Sequence, residues 1–267
     1  MKRKPAVAGQ FYPASSPDLS RQVDSFITPD AKKEEAIGIV APHAGLIYSG
    51  GVAGEVYSKI RMPHTIILIG PNHTGLGRPV SIMSSGSWQM PTGALNINEE
   101  IAERLKEKTG LIQEDTAAHT TEHSLEVQLP FILHFSGDTM IVPITMMTDS
   151  LDVCREVGEA IADVIKGTEH SVLIAASSDM SHYETDTTAR RKDNMAIKRI
   201  LDMDPEGLYA AVINENISMC GTIPVATMLY AARKLGAKES RLVKYMTSGE
   251  TSGDYGYVVG YAGIIIS

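Results

Sequence analysis

Four short apolar runs constrain the fold of this chain more than any other feature: IGIVA at 37–41, TIILIG at 65–70, TMIVPITM at 139–146 and SVLIAAS at 171–177. Each is continuous rather than alternating. A strand that reads this way is buried on both faces, as in a parallel sheet covered by helices on either side. The intervening segments supply those helices. GGVAGEVYSKI near 50–60, NEEIAERLKEKTG from 98 and SLEVQLPFILHF from 124 carry apolar residues at helical spacing, with Asn98 as a start signal and Gly110 as a stop. Helices over 187–201, 205–214 and 222–235 then precede two strand-like stretches, LVKYMTSG and YGYVVGYAGIII, joined by the loop GETSGDYG and suited to antiparallel pairing. Alternation of this kind predicts a three-layer α/β/α sandwich with a largely parallel or mixed central sheet.

No composition break, fixed-period repeat or low-complexity tract divides the chain, so residues 1–267 read as one domain. A formal net charge of -8 disfavours nucleic acid and anionic membranes as partners, since both demand a concentrated basic surface. The longest basic cluster, ARRK at 189–192, reads as a solvated helix face. No apolar stretch approaches the roughly 18 residues of a membrane span. The N-terminal residues lack the apolar run of a signal peptide, and two cysteines make no disulfide framework, so the expected location is the cytoplasm. Cys154 falls within a helical pattern and is expected in the core.

Three of the buried runs end alike. IGIVAPH places His43 just past a strand, TIILIGPNH does the same for His73, and SVLIAASSDMSH for His182. Open α/β sheets gather ligands at the carboxyl ends of their strands, so these imidazoles have a geometric reason to meet. Pro42 and Pro71 stiffen the loops concerned, and Gly45, Gly70 and Gly75 permit tight turns beside them. Each histidine taken alone reads better as a loop cap. Cys220, just before the helical pattern that opens with Pro224, is placed where a helix dipole lowers a thiol pKa, although taken alone it reads better as core packing. Imidazole and thiolate together suit zinc, iron or copper. His123 opens another helical pattern, where Glu126 is expected to complete a capping arrangement, and His119 is close by. Asp179, three residues before His182, reads as an orienting partner for that imidazole or equally as a helix cap. Tyr48 is a candidate pocket residue, with packing the competing role. Ser177 and Ser178 leave nucleophilic catalysis open, although no G-x-S-x-G, P-loop or H-E-x-x-H pattern is present.

The motifs PAVAGQFYP, APHAGLIYSG, IGPNH, EHSLEVQLP, SSDMSHY and CGTIPVATML, in this order, resemble the Memo family, known in prokaryotes as AmmeMemoRadiSam system protein B. The resemblance spans nearly the whole chain. It implies a fold similar to class III extradiol ring-cleaving dioxygenases, with nonheme iron at the edge of an α/β sheet. His43 and His73 then match the two histidine ligands, while His182 and His123 match histidines that handle protons and oxygen. Those dioxygenases complete the site with a carboxylate, where this sequence has Cys220. A thiolate is softer and can itself be oxidised, which admits copper or zinc beside iron.

The resulting expectation is a metal-dependent oxidoreductase acting with dioxygen on a small substrate, aromatic compounds among the candidates. His43, His73 and Cys220 would hold the metal, and His182, Asp179 and His123 would serve proton transfer. A radical S-adenosylmethionine enzyme and an AMMECR-type protein are the partners the resemblance implies. A noncatalytic peptide- or metabolite-binding or redox-signalling module that keeps the pocket, and a metal-dependent hydrolase, are the competing readings.

Overall fold

The computed structural model describes residues 1–267. Its strands are β1 (Lys2–Arg3), β2 (Gly38–Ala41), β3 (Thr65–Pro71), β4 (Val80–Ile82), β5 (Ser87–Met90), β6 (Gly93–Asn96), β7 (Gln113–Glu114), β8 (Met140–Met146), β9 (Val172–Ser177), β10 (His182–Glu184), β11 (Ser240–Thr247) and β12 (Val258–Ile266). The four continuous apolar runs are β2, β9, β3 and β8, hydrogen-bonded side by side in that order and all parallel. Their residues are almost wholly buried, as the absence of alternation requires.

Antiparallel strands extend this parallel centre on both sides. β12 pairs with β2, and β11 and β10 pair with β12; β4 pairs antiparallel with β8 and carries β7 beyond it. The sheet is therefore mixed, and the two late strands pair with each other as their sequence suggests. GETSGDYG between them contains a helical turn, Gly249–Ser252. A second small sheet, β1-β5-β6, was not legible because its strands are four residues or fewer.

Helices cover both faces of the large sheet. Glycines on β12 show how closely they approach: a Cβ on Gly263 would meet Val56 and Val52 of the helix Leu46–Lys59 at 2.5 and 3.0 Å, and one on Gly260 would meet Asp193 of the helix Asp186–Leu201 at 1.9 Å. Residues an odd number apart on a strand face opposite ways, so these two helices lie on opposite faces. The helix Thr222–Leu235 packs on the same face as Asp186–Leu201, since Gly38 is paired with Ile266, an even number of residues from Gly260, and a Cβ on it would meet Met228 Sδ. The architecture is an α/β sandwich.

The segment from 124 is helical later than its pattern suggests. A single 3-10 turn, Glu126–Gln128, precedes the helix Leu129–Phe135, with Pro130 in the first turn where its missing N–H costs nothing. No helix is long and apolar enough to cross a membrane.

Register fixes what the sheet can present. Ala41 lies opposite Ser177, Ile69 opposite Ala176 and Pro71 opposite Met146, so β2, β9, β3 and β8 end level with one another. The loops that carry His43, Asp179 and His73 leave from one edge.

Candidate metal centre

His43 stands two residues beyond β2, and its position is set from β9. Asp179 Oδ1 accepts from the backbone N–H of His43 at 2.8 Å and of Ala44 at 3.3 Å, tying the two loops together. Burial raises the Asp179 carboxyl above the usual range, against the pull of these two donors. His73 is set by its own loop. Asn72 Oδ1 accepts from the N–H groups of Thr74 and Gly75 at 3.0 and 3.2 Å, a turn that Gly75 completes at a φ of +70°. Glu122 then grips the histidine twice, Oε2 accepting from its backbone N–H at 2.5 Å and Oε1 from ring Nδ1 at 2.9 Å.

These contacts decide which ring nitrogens are free. A carboxylate only accepts, so His73 Nδ1 carries the proton and Nε2 the lone pair. For His43 the argument runs through Ser177. The Ser177 hydroxyl has one proton, donated to Ser124 O at 2.7 Å, and it accepts from Gln128 Nε2 at 2.9 Å. His43 Nδ1, 2.9 Å from the same oxygen, must donate to it. Gln128 is fixed in turn by Pro42 O and Tyr57 Oη, at 2.8 and 3.1 Å. Both histidines are thus held as the Nδ1–H tautomer with the lone pair on Nε2, the form a metal requires.

His123 follows Glu122 and completes a cluster. One ligand nitrogen from each of His43, His73 and His123 lies within 4.8 Å of the others, and this group could hold a metal ion. Burial, with the neighbouring imidazoles of His123 and His73, pushes His43 well below its ordinary pKa. Burial lowers His123 as well, against the pull of Glu122. Rings kept neutral in this way keep their lone pairs.

The three rings are not equivalent. His43 meets His73 edge-on at 71°, whereas His123 is stacked on His73, with centroids 4.7 Å apart and planes 21° apart. An imidazole lone pair lies in the ring plane, so two stacked rings cannot both aim at one ion without turning. Cys220 offers the alternative. Its Sγ is 3.2 Å from His43 Nε2, and with His73 it lines a cavity of about 560 Å³. Sulfur and nitrogen donors at about 2.3 and 2.1 Å from a shared tetrahedral ion stand roughly 3.6 Å apart, so a small side-chain rotation admits one. The donor set fits a transition metal. Burial and the adjacent Asp179 carboxylate push the Cys220 thiol up, which corrects the expected lowering: the helix Thr222–Leu235 begins two residues later, but its dipole is outweighed.

A family model described as Memo-like protein matches residues 3–265. The chain belongs to the Memo family. A MEMO1 family protein of Methanopyrus kandleri is 42% identical over 279 residues, covering 99% of each chain, and one of Desulfurococcus amylolyticus is 43% identical, covering 98% of each. An uncharacterized protein from Escherichia coli K12, 13% identical, has a crystal structure similar in fold to this Memo protein, with a TM-score of 0.57 over 85% of this chain and 98% of its own.

Two sequence expectations for this Memo protein are corrected by its contacts. Asp179 makes no hydrogen bond to the His182 ring: its Oδ1 accepts from the His43 and Ala44 amides, and His182 Nδ1 faces Ser218 O at 2.8 Å. His182 lies on β10, outside the three-imidazole cluster. Glu126 does not cap a helix at His123. It is wholly buried and accepts from Arg3 Nη1 at 2.5 Å, from the N–H groups of Ala6 and Val7, and from Tyr12 Oη. Arg3 extends that clamp to the carbonyls of His119 and Glu122, at 2.6 and 2.7 Å. The residues the sequence did not single out are Glu122, Gln128 and Arg3. Glu122 had a signal, a carboxylate beside a candidate histidine; Gln128 and Arg3 had none.

Proposed function

We propose that this protein is a metal-dependent oxidoreductase acting with dioxygen on a small substrate, its metal held by His43, His73 and Cys220. One observation carries the reading: two imidazoles with tautomers fixed by Glu122 and Ser177 bring ligand nitrogens within 4.8 Å of each other at the carboxyl edge of a parallel sheet, beside a thiol. Iron is the metal the similarity to extradiol dioxygenases favours, with copper or zinc the other candidates for imidazole and thiolate. Such an ion would supply the activation of dioxygen that no side chain offers.

The chain itself supplies the rest. Met146, Met147, Ile223 and Pro224 give the adjoining cavity an apolar wall for a small organic body. His123, neutral and stacked beside His73, would take a proton from a substrate hydroxyl. His182 donates through Nδ1 to Ser218 O and so keeps Nε2 as a second acceptor nearer the surface. Cytoplasmic location, and work beside a radical S-adenosylmethionine enzyme and an AMMECR-type protein, belong to the same proposal and rest on the family's prokaryotic system.

Anaerobic loading with ferrous iron, followed by oxygen uptake against catechol-like and indole-like compounds, tests the reading. Uptake that depends on substrate, and that falls in His123→Ala at unchanged iron content, supports it. Fully loaded protein that consumes no oxygen with either class overturns it. A second reading, a zinc-dependent hydrolase, would use the same neutral imidazoles as ligands and would show turnover without oxygen.

A further inference from the structure

A second cavity of about 450 Å³ lies away from the metal centre, between the N-terminal segment and residues 116–121. Its lining holds no acidic residue, in a chain with 32 of them and a net charge of -8. Lys2 and Lys4 bring two ammonium groups, while Pro5, Ala6 and Met83 make an apolar wall. Arg3, between the lysines, is spoken for: its charge is matched by Glu126, and its guanidinium lies 4.0 Å above the ring of Trp88. The lysines have no carboxylate within ion-pair distance.

Behind the cavity wall the protein leaves one polar atom without a partner. His119 is fully buried, and its Nε2 donates to Ser81 O at 3.2 Å, so Nδ1 is an acceptor; no donor reaches it. Burial, with Arg3 adding to it, lowers the ring to a pKa of about 4, so the acceptor persists at neutral pH. Buried polar atoms left unpaired are uncommon, but an anion offers this acceptor no proton, so the charge of an occupant falls to the lysines alone.

We infer that this cavity is a binding site for a small organic anion, a carboxylate or phosphate on a short apolar body. Paired lysines at the rim meet the charge, and the apolar wall meets the body. The size is within the ordinary range for small-molecule sites. Its occupant would lie against Thr120 and Thr121, two and one residues from the Glu122 that grips His73.

The single tryptophan reports on the site directly, because Trp88 lies under Arg3 and 5.8 Å from the His119 ring. The experiment is a fluorescence titration of the metal-free full chain with benzoate and, separately, inorganic phosphate at constant ionic strength. The inference predicts a saturable response to benzoate, weakened about tenfold in a Lys2→Gln, Lys4→Gln double variant. It also predicts loss of that response in Thr120→Phe, which fills the cavity from an exposed position. Saturation by phosphate as tight as by benzoate shows that the charge is recognised without the body, and supports the site for phosphates. A linear response to both anions, the same in wild type and double variant, overturns the inference. Because no metal is present, failure here leaves the metal centre untouched.

Discussion

Replacing Glu122 by glutamine isolates the charge that holds His73. The carboxylate is fully buried and accepts three times, from His73 N at 2.5 Å, His73 Nδ1 at 2.9 Å and Ser124 N at 2.9 Å. Burial alone would raise its pKa, yet the His73 ring and the backbone N–H groups of Ser124 and His73 hold it down at about 2. Glutamine keeps the shape but not the symmetry. Whichever way the amide turns, its NH₂ faces a donor. A hydrogen bond to a charged acceptor contributes about 1.5–3 kcal/mol against about 1 for a neutral one, so the His73 ring loses roughly 1–2 kcal/mol of orientation. Metal affinity should fall about 5- to 30-fold, at the lower end of what outer partners of ligating histidines show. A competition titration with cobalt(II) against a chromogenic chelator measures this, with thermal melting in parallel to show that the variant is folded. A folded Glu122→Gln protein with wild-type cobalt affinity would refute the argument that Glu122 prepares His73 as a ligand.

Three further outcomes follow from the same contacts. Ser177→Ala leaves His43 Nδ1, Gln128 Nε2 and Ser124 O short of a buried partner; at about 1–3 kcal/mol per orphaned group it should lower the melting temperature by several degrees, which calorimetry reads. Arg3→Met strands the buried Glu126 charge, a loss of about 3–5 kcal/mol. Adding Glu126→Gln should recover part of it, and a double variant no better than the single would contradict the pairing. His119, with its folded pKa lowered to about 4 from 6.5, favours the fold in its neutral form. Its contribution is complete above pH 6.5 and is lost as pH falls toward 4, a difference on the order of 3 kcal/mol. Denaturant unfolding of His119→Gln should therefore show a flatter stability profile between pH 7 and 4 than wild type.

The strands that carry the site were legible because their burial left no room for polar residues. β2, β3, β8 and β9 each read as an unbroken apolar run, and the parallel centre follows from that alone. The edge elements were not, because β1, β4, β7 and β10 are two or three residues long and carry no period. The same limit applied within the site. His43 and His73 announced themselves by standing just past apolar runs. The partner of each came from a distant segment: Ser177 lies 134 residues from His43 and Glu122 lies 49 from His73, and no local pattern links them. Asp179 misled because proximity along the chain to His182 suggested a contact that the fold gives to the His43 loop instead.

Metal binding by His43, His73 and Cys220 is tested most directly by cobalt(II) loading of wild type, His123→Ala and Cys220→Ala, read by metal content and by the sulfur-to-cobalt charge-transfer absorption. The account predicts one cobalt per chain with that absorption in wild type and in His123→Ala, and weakened binding without it in Cys220→Ala. Loss of cobalt from His123→Ala, with full retention by Cys220→Ala, would contradict it and assign the third position to the stacked imidazole.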